Sequence, residues 1–133
     1  MNPTSRTVFL AIGLSACGTD DRPETLAYIT DTILAPTCAL AECHSAMTRE
    51  FNYAFDTVAL AQQALDGTDA IRLIAACDAR PCSGDSYLIK VITDRDGYGN
   101  RMPYDSAMPE EDVQLITDWI RDGAVGFVQP EAR

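Results

Sequence analysis

Apolar residues recur at helical spacing in four stretches of the chain. Between Glu24 and Ala35, Leu26, Ile29, Ile33 and Leu34 share one face, which predicts a helix that Pro36 ends. Thr57 to Leu65 reads as a second helix, with Asp56 as its N-cap and Gly67 as its stop. In Asp85 to Thr93, the spacing of Tyr87, Leu88, Val91 and Ile92 fits a helix better than a strand. Glu110 to Asp122 is the clearest helix: Leu115, Ile116, Trp119 and Ile120 form its apolar face, and Gly123 is its C-terminal signal. Ala70 to Ala76 can add one or two further turns. The stretches between are an aromatic segment, Phe51 to Phe55, a tight loop from Cys77 to Cys82, and a connection rich in Gly, Asp and Pro from Asp94 to Asp105. The pattern predicts a mostly α, single small domain with long ordered loops. Helices this short make a thin core, and long connections in a compact domain usually wrap a function or a cofactor.

The first residues stand apart from this pattern. Residues 1–16 read as an export signal: one cation, Arg6, precedes the apolar run Thr7 to Gly13, which is too short to span a bilayer. The run leads into Leu14-Ser15-Ala16-Cys17-Gly18, which resembles the signal of bacterial lipoproteins. That resemblance implies cleavage before Cys17, a lipid on Cys17, and residues 17–24 as lipidated cysteine and tether ahead of a domain over residues 25–133. An ordinary secretory signal with Cys17 incidental, or a short buried helix, is the alternative. Charge narrows the partners. The 133 residues carry 20 acidic and 10 basic side chains, a formal charge of -10. With one lysine, Lys90, and no basic run, a nucleic-acid surface is excluded.

The chemistry concentrates in the cysteines and in the single histidine, His44. With Cys17 set aside, Cys38, Cys43, Cys77 and Cys82 remain, as two pairs of equal spacing. Export favours persistent disulfides, and Cys77 with Cys82 is expected to form one. The other pair is different, because His44 follows Cys43 directly. Two cysteines followed at once by histidine is the arrangement of covalent heme attachment: thioethers fix the porphyrin edge and hold the imidazole beneath the iron. Here four residues separate the cysteines, where the usual run has two. The other readings are a structural Cys38–Cys43 disulfide beside a surface histidine, and a zinc site of four cysteines with His44, which an oxidising compartment disfavours.

Four parts of the chain, in order, resemble a c-type cytochrome domain of the planctomycete type. They are Ile33 to Cys38 with Glu42-Cys43-His44, Ser86 to Ile92, Asn100-Arg101-Met102-Pro103, and Val113 to Ala124. The resemblance covers roughly residues 26 to 124. It implies a small cytochrome c-like helical domain wrapped around one covalent heme c, with Cys38 and Cys43 as thioethers and His44 as proximal iron ligand. It places the distal ligand at Met102, in the Arg-Met-Pro run, where methionine sulfur would favour ferrous iron. Met108 is the second choice, with a plainer role packing on Val113 ahead of the last helix. An open sixth position is the third possibility. The function implied is single-electron transfer rather than catalysis, on a lipid anchor in the bacterial cell envelope, with redox partner proteins that present a basic docking patch. A heme-free, disulfide-stapled envelope lipoprotein acting as a binding module is the alternative, and a heme enzyme with open iron a weaker one. Asp94, Asp96, Gly99 and Asp105 have the flavour of a calcium loop, but Tyr98 and Pro103 spoil it. Trp119 is expected in the core, where the last helix crosses the first, and Phe51, Tyr53, Phe55 and Tyr87 as pocket wall or core.

Overall fold

A computed structural model describes residues 20–66, 86–93 and 101–128. Cys17 and the export signal, Gly67, Ala70 to Ala76, the Cys77–Cys82 loop and Asp94 to Asn100 lie outside them. Among the described residues the fold is helical, without strands: α1 (Leu26–Ile29), a π-helical turn (Thr30–Leu34), α2 (Ala35–Cys38), a 3-10 turn (Glu50–Asn52), α3 (Val58–Asp66), α4 (Tyr87–Thr93) and α5 (Glu110–Arg121).

The first three elements form one continuous helical run, so Pro36 does not end it. The turn before the proline widens, with the Ala35 N–H donating to the Thr30 carbonyl five residues back. That widening takes up a ring which would otherwise crowd the carbonyl four residues earlier, and Pro36 falls in the first turn of α2, where its missing N–H costs little. The run therefore reaches Cys38. The cap of α3 also differs by one residue from the sequence expectation: Thr57, not Asp56, accepts the Leu60 N–H on its hydroxyl, at 3.3 Å.

α5 ends as its sequence predicts. Gly123 takes φ 108, its N–H donates to Ile120, and the Ala124 N–H reaches back to the Trp119 carbonyl at 2.7 Å. These are the paired bonds of a Schellman stop. The chain then turns so that one carbonyl, that of Val125, accepts both the Trp119 Nε1–H and the Leu26 N–H at 3.0 Å. The start of the first helical run and the end of the last helix thus meet at a single atom. Trp119, Leu26, Ile29, Ile33, Leu65 and Ile116 are fully buried in one cluster that also takes in Phe55, Leu88, Ile92 and Met108. Just before α1, Arg22 donates to Asp112 and to the Glu111 carbonyl on the first turn of α5.

Candidate functional site

α2 sets Cys38 at its last residue, and the chain then folds tightly back on it. The Cys43 N–H donates to the Leu40 carbonyl at 2.9 Å, and the His44 N–H donates to the Cys38 carbonyl at 3.0 Å. The four intervening residues arch outward, leaving Leu40 half exposed to solvent, while Cys38 and His44 stay adjacent through the backbone. Neither Cys38 nor Cys43 is in a disulfide. Burial pushes the Cys38 thiol up to about 12, with Cys43 nearby adding to the effect.

His44 is fixed from two sides. Its Nδ1 lies 3.0 Å from the Glu50 carbonyl, a contact that requires a proton on Nδ1 and, in the neutral ring, puts the lone pair on Nε2. Phe55 meets the ring edge-on at 5.7 Å and Tyr53 lies tilted at 6.0 Å. The segment that supplies the carbonyl has an unusual backbone. Arg49, Phe51 and Asn52 all take positive φ, at 49°, 54° and 66°. This left-handed strap turns the Glu50 carbonyl inward, and the His44 carbonyl in turn accepts the Phe55 N–H at 2.9 Å.

A cavity of about 390 Å³ opens beside this histidine. Cys38, His44, Phe51, Tyr53 and Phe55 form one side. α4 adds Tyr87, Leu88, Val91 and Ile92 to the lining, the same four positions that mark its apolar face in the sequence. Met102 and Tyr104 close the rim. Met102 is tied in place by its N–H, which donates to the Val91 carbonyl at 2.8 Å. Met108 is elsewhere: it is buried in the core and lines a different cleft together with Val113, the packing role the sequence assigned it.

The structure therefore brings Cys38, His44 and Met102 to one cavity, with Cys43 in the adjoining loop; Cys17, Cys77 and Cys82 lie outside the described residues. The cavity is walled largely by apolar and aromatic side chains, with one imidazole nitrogen, one thiol and one thioether available to a guest. These are side-chain types that can ligate iron or attach a porphyrin. Among the described residues, no three or more His, Cys, Asp or Glu side chains gather as a metal cluster. Sequence reasoning missed Tyr104, which has no periodic signal, and the Glu50 carbonyl, which any residue could supply. Asn52 carried the available hint, since asparagine is enriched at positive φ. No family model, curated protein or solved structure matches the chain.

Proposed function

We propose that the chain is a monoheme c-type cytochrome, a single-electron carrier held in the cell envelope by a lipid on Cys17. The observation that carries this reading is the convergence of His44 and Met102 on one apolar cavity, with Cys38 in its wall and the rival methionine outside it. When bound, the heme would supply an iron that cycles between ferric and ferrous states. The chain's own residues do the rest. Cys38 and Cys43 would hold the heme as thioethers. His44 would supply Nε2 as iron ligand, with the Glu50 carbonyl fixing the orientation of its ring. Met102 offers its sulfur from the α4–α5 connection, anchored at Val91. Tyr53, Phe55, Leu88 and Ile92 exclude water, which lowers the reorganisation that accompanies a change of iron charge. The net charge of -10 supports a redox partner with a basic docking face.

The exported protein, purified and run on a denaturing gel, should retain heme covalently and be red in solution. A double variant, Cys38→Ser with Cys43→Ser, should lose the covalent heme and accumulate poorly, because the heme supplies much of the core. A colourless wild-type protein that folds and accumulates normally would leave the heme-free lipoprotein in its place.

A further inference from the structure

Ala39 to Glu42 separate Cys38 from Cys43. Cys38 is fixed by α2, of which it is the last residue. Cys43 stands beyond the arch, so its place depends on the shape the arch takes. Packing does not set that shape. Leu40 is 51% exposed, and Met47, in the turn after His44, is 96% exposed. Ala41, Glu42, Ala46 and Thr48 are exposed as well. Polar bonds take the place of apolar anchors, and they converge on the Ala41 carbonyl within the arch. It accepts both the Thr48 hydroxyl and the Ser45 hydroxyl, the latter at 3.4 Å. Ser45 alone among residues 40–50 is buried. Its hydroxyl oxygen also accepts the Thr48 N–H at 3.3 Å, and its carbonyl accepts the Arg49 N–H at 2.9 Å. A loop without apolar anchors keeps one conformation only as far as such bonds offset its backbone entropy.

We infer that Ser45 and Thr48 are positioning residues for Cys43: by tying the arch to the turn after His44, they set where the Cys43 sulfur stands relative to Cys38. The role of that sulfur rests on the heme reading; the hold on the arch does not. In thioether formation the Cys43 S–H adds across a vinyl group. Sulfur bonds to one vinyl carbon and hydrogen to the other, with no leaving group and no oxidant or reductant. That addition requires the sulfur to be held at its own vinyl while Cys38 occupies the other, so a displaced arch penalises Cys43 and spares Cys38.

Ser45→Ala and Thr48→Val each remove one hydroxyl at little change of shape, and Thr48→Ser puts one back. Two measurements on the purified, exported full-length protein test the inference. In hydrogen exchange followed by mass spectrometry, residues 39–49 should exchange about fivefold to tenfold faster in Ser45→Ala and Thr48→Val, the effect of losing a hydrogen bond from a locally opening loop. α5 should be unchanged, and Thr48→Ser should match the wild type. In iodoacetamide labelling followed by peptide mass spectrometry, the wild type should show neither cysteine free. The two hydroxyl-deleted variants should show free Cys43 with Cys38 still bound to heme, whereas general destabilisation would release both together. Unchanged exchange of residues 39–49 in both variants overturns the inference, whatever the colour of the protein. So does Cys43 bound as fully as in a heme-bearing wild type, or Cys38 and Cys43 released in equal measure. A colourless wild type whose arch exchange still depends on the hydroxyls overturns the heme reading and upholds the hold on the arch.

Discussion

At the scale of single residues, the two methionines separate cleanly. Met102 is half-buried at the rim of the His44 cavity, whereas Met108 is buried in the core. On the proposed heme reading, Met102→Ala should abolish the sulfur-to-iron absorption, lower the reduction potential and admit cyanide, with little change in the stability of the polypeptide. Met108→Ala should leave the spectrum intact and cost about 2 kcal/mol or more in urea unfolding, the effect of emptying a packed site. Cys38 carries a test of its own. With its thiol pushed up to about 12, Cys38 is almost entirely protonated at neutral pH. In the heme-free reduced chain its alkylation by iodoacetamide, followed by peptide mass spectrometry, should be slow at pH 7. It should keep accelerating between pH 9 and 11, where an ordinary thiol has already levelled off, because each unit of pH still raises the thiolate fraction about tenfold. Much of this was legible from residue types alone: the Cys-Cys-His run and the Arg-Met-Pro run are local patterns. The surroundings of Cys38 were not, since Tyr53, Phe55 and α4 arrive beside it from elsewhere in the chain.

At the scale of elements, the left-handed strap has the clearest consequences. Its backbone, rather than its side chains, holds the carbonyl that orients His44. Asn52 at φ 66° tolerates glycine and resists branching at Cβ. Asn52→Val should therefore destabilise the chain by about 1 to 2 kcal/mol and loosen the imidazole, visible as broadening of the His44 ring resonances, while Asn52→Gly should match the wild type within about 0.5 kcal/mol. Helix periodicity located α4 and α5 nearly to the residue, because each has one apolar face and a sharp end. It failed at Pro36, where the rule that proline stops a helix omits the wide π turn that accommodates it. It was silent on the strap, because positive φ at Arg49 and Phe51 is imposed by the bonds of the surrounding loop rather than by those residue types.

At the scale of the whole molecule, the fold is closed by contacts that the sequence does not announce. Trp119 was readable as core from its place on the apolar face of α5. That its indole shares an acceptor with the first turn of α1 follows from chain geometry after Gly123. Trp119→Phe keeps an aromatic side chain but loses part of the ring system together with that donor. It should lower stability by about 1 to 2 kcal/mol, measured by urea unfolding, through the lost bond and the altered packing. The shared carbonyl also imposes an order of events on a chain that emerges from its N-terminus. Cys38, Cys43, His44 and Met102 all emerge before Val125, so the cavity residues are present while the bundle still lacks its clasp. A chain cut short before Val125 therefore keeps every residue of the His44 cavity but loses the acceptor that joins Leu26 to Trp119.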